Sequence, residues 1–128
     1  MKELKKILYA EDEPDIQTIV GTIIEALSDY EIKICGDGEQ LLECVDEYNP
    51  DLILLDVMMP KMDGPTTFKN LQENEKTQNI PVIFMTAKAQ VHEIKNFQEA
   101  GIIGIITKPF DPVQLCSNIS DIWEENTK

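Results

Sequence analysis

The segment 51–60 constrains the fold more than any other part of this chain. It reads DLILLDVMMP, and residues 52–55 are apolar at every position rather than at every second one. Such a run is typical of a strand that is buried on both faces of a parallel sheet, beneath covering helices. Pro60 cannot donate a hydrogen bond to a strand ladder, so we expect the strand to end near Val57. Asp56 is then predicted at the carboxyl end of the strand.

An aspartate in that position needs cationic partners. Open α/β sheets bind their ligands outside the carboxyl ends of their strands. A carboxylate at such an apolar rim is costly to desolvate unless cations face it. The rest of the chain is therefore expected to bring positive charge to Asp56.

Apolar strands alternate with amphipathic helical patterns along the whole sequence. This strict alternation with short loops predicts an α/β fold, a doubly wound parallel sheet of about five strands with helices on both faces. The strands are predicted over residues 4–10, 31–35, 52–57, 80–85 and 102–107.

Each predicted strand is followed by a predicted helix. The fourth helix carries Val91, Ile94 and Phe97 inward and leaves His92 in solvent. The last helix is predicted to begin at Pro112, with Asp111 and Gln114 forming a capping box. The fourth helix is predicted to stop at Ala100 and Gly101.

Composition limits the kind of protein and partner. The 128 residues fit one compact domain, 1–128, and their net charge of -13 would repel nucleic acid and anionic lipid. No apolar run approaches the roughly 20 residues of a membrane span, and no signal peptide is recognisable, so we expect a soluble cytoplasmic protein without membrane insertion. Cys35, Cys44 and Cys116 are expected to be buried free thiols.

The polar residues of interest all fall where strands are predicted to end. Glu11 and Asp12 close the first strand, Asp56 the third, Thr86 the fourth and Lys108 the fifth. Taken singly, each has an ordinary reading, such as a solvated helix start for the acidic pair or a turn cap for Asp56. Because parallel strands place their carboxyl ends at one edge, the five side chains are expected to share one pocket.

This combination of motifs resembles a response-regulator receiver domain. It consists of the acidic pair, the aspartate in DLILLDVMMPKMDG, the Thr-Ala pair at residue 86 and the Lys-Pro-Phe at residue 108, and it covers essentially the whole chain. The resemblance implies the flavodoxin-like, CheY-like strand order 2-1-3-4-5. It also implies a phosphorylated signalling module of two-component systems, which is not an enzyme with a turnover of its own.

The resemblance assigns roles to the residues that bind the phosphoryl group. Asp56 is implied as the phosphoacceptor, Lys108 as the cation that binds the phosphoryl oxygens, and Thr86 as the switch hydroxyl. A cis peptide bond is implied between Lys108 and Pro109. Ile105 stands where such receivers often carry an aromatic residue or histidine, and because Ile is stiff at χ1, we expect it to shift little on activation.

The resemblance also implies a site for Mg²⁺, or Mn²⁺. Asp12 and Asp56 are implied as direct ligands, Met58 as a ligand through its backbone carbonyl, and Glu11 as a ligand through water. Elementary chemistry makes the same demand, because phosphoryl transfer needs charge neutralisation and Mg²⁺ prefers hard oxygen ligands.

The implied partners are proteins. The donor would be a sensor histidine kinase or a histidine phosphotransfer protein, and the output a downstream protein that binds the face formed by the predicted fourth and fifth helices and the last strand. Since the sequence stops one helix after Lys108, we expect a stand-alone module. A phosphorelay intermediate, which hands its phosphoryl group to a histidine phosphotransfer protein, is the alternative that the sequence leaves open.

Two other functions on a similar fold are less compatible with the sequence. A flavodoxin-like carrier needs hydroxyl and N–H groups for the flavin phosphate where this chain has Glu11, Asp12 and Glu13. A phosphatase with an aspartate nucleophile usually carries a second aspartate two residues later, and that position is Met58 here.

Overall fold

The computed structural model describes residues 3–87 and 101–126. None of the helices in these ranges is long and apolar enough to cross a membrane. The predicted fourth helix and His92 lie outside the described residues. The elements are, in chain order, β1 (Lys6–Ala10), α1 (Pro14–Leu27), β2 (Glu31–Cys35), α2 (Gly38–Tyr48), β3 (Leu52–Asp56), α3 (Gly64–Glu73), β4 (Val82–Ala87), β5 (Gly104–Lys108) and α4 (Leu115–Asn126).

The five strands form one parallel sheet in the order β2-β1-β3-β4-β5. Helices α1 and α4 pack on one face of the sheet, and α2 and α3 pack on the other. The doubly wound α/β fold and the strand order 2-1-3-4-5 are therefore confirmed.

The central strand β3 explains why its sequence is apolar at every position. Leu52 and Leu54 belong to the apolar layer beneath α1 and α4, whereas Ile53 and Leu55 belong to the layer beneath α2 and α3. All four side chains are fully buried. Each such burial contributes about 1.5–3 kcal/mol to stability, so both faces of the strand help to hold the sheet between its two helical layers.

Helix α3 begins directly beside the carboxyl end of β3. The N–H of Gly64 donates to the carbonyl oxygen of Val57 at 2.9 Å, and a Cβ atom at residue 64 would lie only 2.5 Å from the carbonyl oxygen of Asp56. Glycine is required for this close approach. Asp63 caps the helix by accepting the N–H of Thr66 at 2.8 Å, which fixes the loop that follows Asp56.

Two strands lie slightly later in the sequence than predicted. β4 was expected over residues 80–85 and β5 over residues 102–107, but they span Val82–Ala87 and Gly104–Lys108. Thr86 pairs with Thr107 and Ala87 with Lys108. Backbone pairing continues past the last apolar side chain because a ladder needs only N–H and C=O groups.

The start of the last helix was also predicted wrongly. Residues 112–114 form a turn, and α4 begins at Leu115 rather than at Pro112. The Asp111 carboxylate accepts the N–H of Val113 at 2.9 Å, and Gln114 N–H donates to the Asp111 carbonyl. Asp111 thus closes an Asx turn over residues 111–113 and does not form a capping box, because an Asp side chain can accept the backbone N–H two residues on.

The three cysteines are free, as expected from their spacing. Cys35 is buried, whereas Cys44 and Cys116 are only partly buried. Cys35 Sγ and Cys44 Sγ lie 3.2 Å apart, so the end of β2 and the middle of α2 meet through these two thiols. Burial, together with the Cys44 thiol, raises the pKa of the Cys35 thiol to about 12, which keeps it protonated.

Candidate functional site

The predicted pocket residues lie at one edge of the sheet. Asp56 ends β3 and Lys108 ends β5, while Glu11 and Asp12 directly follow β1. Lys108 Nζ lies 2.6 Å from Glu11 Oε1 and 3.2 Å from Asp56 Oδ1. One ammonium group thus bridges two carboxylates that lie 45 residues apart in the sequence.

Strand alternation explains why these side chains converge on the same side of the sheet. Leu54 and Ile106 lie in the apolar layer beneath α1 and α4, and successive side chains of a strand alternate between faces. Asp56 and Lys108 are each two residues beyond one of these apolar anchors. The same period that buries the strands therefore directs their terminal polar side chains into a common pocket.

Asp56 is only 5% exposed. Burial raises the pKa of its carboxyl group to about 7, and the negative charge of Glu11 adds to this increase, while the ammonium group of Lys108 opposes it. The ammonium group of Lys108 is thus insufficient to keep the pKa of the Asp56 carboxyl in its ordinary acidic range. The pocket holds more negative charge than Lys108 neutralises.

The pKa of Glu11 is shifted in the opposite direction from that of Asp56. Its side chain is fully buried, and burial alone would raise its pKa, but the hydrogen bond and the charge of Lys108 together hold the pKa of Glu11 below its ordinary value. Burial likewise opposes the charge on Lys108, yet Glu11 and Asp56 together raise the pKa of its ammonium group. Glu11 and Lys108 form the closer, charged pair, and the Asp56 carboxyl is more easily protonated than that of Glu11.

Tyr9 is a member of the site that the sequence analysis missed. It is fully buried, and its hydroxyl group donates to Glu11 Oε1 at 3.0 Å. Burial, with the nearby Glu11 charge, raises the pKa of the Tyr9 hydroxyl far above its ordinary value, so it remains a proton donor. The available signal was the two-residue spacing from Glu11, because a buried tyrosine hydroxyl usually needs a partner on its own face.

The acidic residues fit a divalent metal ion. One carboxylate oxygen from each of Glu11, Asp12 and Asp56 lies within 4.8 Å of the others. Hard carboxylate oxygens are the ligands that Mg²⁺ and Mn²⁺ prefer. A bound dication would also relieve the repulsion that raises the pKa of Asp56. The donor set and the electrostatics are therefore both suited to Mg²⁺.

The other residues predicted for the site are Thr86, Met58 and Ile105. Thr86 is 1% exposed and lies one position beyond Met85, the residue that pairs with Asp56. The side chain of Met58 is 63% exposed at the rim, whereas Met59 packs against the core layer beneath α2 and α3. Ile105 is partly buried against the same layer. The structure does not bring Ile105 into the acidic cluster, and the metal-binding role of the Met58 carbonyl stays a prediction.

Comparison with known proteins identifies a family. Residues 7–120 match the model of the response regulator receiver domain. A DNA-binding dual master transcriptional regulator, RpaA of Synechocystis, is 32% identical over 116 residues, which cover 91% of this chain and 48% of that protein. The chain thus spans about half the length of the curated relatives that it matches.

Solved structures give the same fold. The chemotaxis protein CheY4 of Vibrio cholerae superposes with a TM-score of 0.83 at 23% identity, covering 94% of this chain and 99% of that one. The receiver domain of the sensor histidine kinase PA1611 from Pseudomonas aeruginosa has a TM-score of 0.79 at 25% identity, with 95% and 97% coverage. Its structure contains a magnesium ion coordinated in the active-site cleft.

Proposed function

Because this chain belongs to the response regulator receiver domain family, we propose that it accepts a phosphoryl group from a histidine kinase on Asp56. Membership in the family places it among signalling modules rather than classical enzymes. The observation that carries the proposal is the contact of Lys108 Nζ with both Glu11 and Asp56 within an acidic cluster. This cation is placed to neutralise a phosphoryl group on Asp56.

In the proposed transfer, an ionised oxygen of Asp56 attacks the phosphorus atom of a phosphohistidine. The new O–P bond forms as the P–N bond breaks, and the electron pair leaves with the imidazole nitrogen, which then takes a proton. Lys108 moves from its position between two carboxylates toward the phosphoryl oxygens. The raised pKa of Asp56 means that a neighbouring cation is needed to keep the nucleophile ionised at neutral pH.

The acidic cluster would supply that cation by holding Mg²⁺, or Mn²⁺ in its place. Asp12 and Asp56 are proposed as direct ligands, together with the backbone carbonyl of Met58, and Glu11 as a ligand through water. When bound, the ion provides positive charge beside the phosphoryl oxygens. The close approach of the three carboxylates supports this assignment.

The proposed output is a change in protein binding. Thr86 is buried and directly follows Met85, the residue that pairs with Asp56 in the sheet. Its hydroxyl group is proposed to donate to a phosphoryl oxygen, which would draw the loop after β4 inward. The proposed target is a downstream protein that binds near β5 and α4. The net charge of -13 argues against direct nucleic-acid binding by this chain. We also propose that residues 1–128 act as one unit in the cytoplasm.

Labelling with acetyl phosphate tests the proposal directly. Intact mass spectrometry should show one added phosphoryl group on the wild-type protein with Mg²⁺ or Mn²⁺ and none when the metal is chelated. Asp56→Asn should not be labelled, because the amide is not a nucleophile. Asp46→Asn, an exposed position in α2, is the matched control and should be labelled like wild type. Labelling of Asp56→Asn at the wild-type level would reject Asp56 as the phosphoacceptor.

Incubation with other proteins separates the two signalling roles. A phosphorylated chain that gains affinity for a target and keeps its label acts as a terminal output. A chain that transfers the label to a histidine phosphotransfer protein, with loss of its own added mass, acts as a phosphorelay intermediate.

A further inference from the structure

The Tyr9 side chain connects the core of the sheet to the acidic cluster. Its ring packs in the apolar layer beneath α1 and α4, and its neighbour across the ladder is Leu54 of β3. Its hydroxyl lies at the polar end of this layer, 3.0 Å from Glu11 Oε1. Because the ring is fully buried, close packing holds the hydroxyl at this position.

Among the described residues, the Glu11 carboxylate accepts hydrogen bonds from donors of different character. Lys108 Nζ and the Tyr9 hydroxyl both donate to Oε1, at 2.6 Å and 3.0 Å. The N–H of Glu13 donates to Oε2 at 3.2 Å. The last two donors are fixed, one by core packing and the other by the backbone. The ammonium group is different because it ends a flexible side chain and also contacts Asp56.

This difference matters when the site becomes occupied. If Lys108 follows a phosphoryl group on Asp56, Glu11 loses its shortest contact although its side chain remains buried. A buried carboxylate without sufficient donors is destabilised and would rotate toward any available cation. A fixed hydroxyl donor prevents this, and it also orients the carboxylate for a metal-bound water.

We propose that Tyr9 is a positioning residue, whose hydroxyl holds the Glu11 carboxylate in place for metal binding and after Lys108 has moved to the phosphoryl group. The inference rests on the proposed function of the site. It adds a residue from within β1 to a pocket otherwise built from the ends of strands. Tyr9 acts through Glu11 and touches no reacting atom.

Removal of the single hydroxyl group tests this role. In Tyr9→Phe the affinity for Mg²⁺, measured by calorimetric titration, should fall about tenfold, the lower end of the losses seen when groups that orient metal ligands are removed. Tyr48→Phe is the matched control, since Tyr48 ends α2 at the opposite end of the sheet, where its carbonyl accepts from Lys6 Nζ. Its affinity for Mg²⁺ should equal that of wild type. Unchanged affinity in Tyr9→Phe would overturn the proposal.

A double-mutant cycle with Glu11→Gln shows whether Tyr9 acts through Glu11. In the Glu11→Gln background, Tyr9→Phe should change the affinity for Mg²⁺ by less than about twofold, because coupled residues are not additive. An equal loss in both backgrounds would mean that Tyr9 supports the fold in general, and would overturn the positioning role.

A measurement on the wild-type protein does not depend on the folding of any variant. The hydroxyl proton of Tyr9 should stay protected from solvent exchange, by NMR, before and after addition of Mg²⁺ and beryllofluoride, a mimic of the phosphoryl group. Loss of protection on beryllofluoride binding would overturn the proposal. Failure of wild type to bind Mg²⁺ would instead reject the proposed function of the site, so the two failures are distinguishable.

Discussion

The two ends of β3 each carry an aspartate, and the two residues have different partners. Asp51, directly before the strand, accepts the N–H groups of Lys5 and Lys6 on one carboxylate oxygen, both at 2.9 Å. Asp56, at the other end, faces a second buried carboxylate and shares one ammonium group with it. Backbone donors cannot leave their acceptor without unfolding, whereas a lysine side chain can. The partners of Asp51 are therefore fixed, whereas the partner of Asp56 is free to move, as the proposed phosphorylation requires.

The different partners of Asp51 and Asp56 show how one strand can contribute to stability at one end and carry a proposed site at the other. The donors to Asp51 join the start of β1 to the start of β3, which strengthens the sheet. At the opposite end, burial and the carboxylate of Glu11 raise the pKa of Asp56, and Lys108 only partly compensates. The protein thus tolerates an unfavourable charge at the site where a metal ion and a phosphoryl group are proposed to bind.

The largest expected effect on stability comes from Asp56→Asn in metal-free buffer. The pKa of Asp56 is about 7 in the folded protein against an ordinary value of 3.8. The folded state thus binds this proton more tightly than the unfolded state, and the associated stabilisation is lost as the pH rises from about 4 to about 7. Asn cannot ionise, so the variant should gain about 2–4 kcal/mol over wild type across this range, with no further gain at higher pH.

Chemical denaturation at a series of pH values, with a chelator present, measures this gain. Asp46→Asn serves again as the control, and its difference from wild type should stay within about 0.5 kcal/mol at each pH. If the gain in the free energy of unfolding were already complete at pH 4, it would come from the change in side-chain shape and not from the loss of a buried charge. That result would contradict the proposed difference between the two ends of β3.

A substitution at the opposite end of β3 should lower the stability of the protein instead of raising it. Asp51→Ala leaves the N–H groups of Lys5 and Lys6 without their carboxylate partner, so the free energy of unfolding should fall by about 1–3 kcal/mol. The expected loss is similar at pH 6 and pH 8. Labelling by acetyl phosphate should remain at the wild-type level, since Asp51 is a strand length away from Asp56. Loss of labelling in a folded Asp51→Ala protein would show that the two ends are coupled.

Much of the fold, and the convergence of the site residues, could be predicted from the sequence. The continuous apolar run before Asp56 identifies the central strand, and the alternation of strands with helices gives the sheet and both of its layers. The convergence of Glu11, Asp12, Asp56 and Lys108 follows from the parallel arrangement alone. These predictions succeed because they depend on periodicity and on the direction of strands, which are local properties of the chain.

Contacts between particular side chains could not be predicted in the same way. The apolar pattern places Tyr9 inside, but it does not reveal that the hydroxyl reaches Glu11. It also does not reveal that Lys108 lies closer to Glu11 than to Asp56, or that Cys35 and Cys44 are neighbours. Such contacts depend on distances set by the packing of several elements. A sequence pattern defines the face of an element but not the residue opposite it.

The smallest expected effect concerns how far the movement proposed at Thr86 and Lys108 extends along β5. Ile105 lies three residues before Lys108, pairs with Phe84 and is partly buried against the layer beneath α2 and α3. Its β-branched side chain is stiff at χ1 and has no polar group that could follow a moving Thr86. Ile105 should therefore keep its rotamer when the site is occupied.

Structures with and without beryllofluoride test this expectation, and they should show movement at Thr86 and Lys108 but not at Ile105. A change of rotamer at Ile105 that accompanies partner binding would show that the movement reaches Ile105, and it would contradict this prediction. If the prediction holds, Ile105→Tyr introduces a polar tip at a position that is otherwise passive, and it should alter the choice of partner without changing the rate of labelling at Asp56.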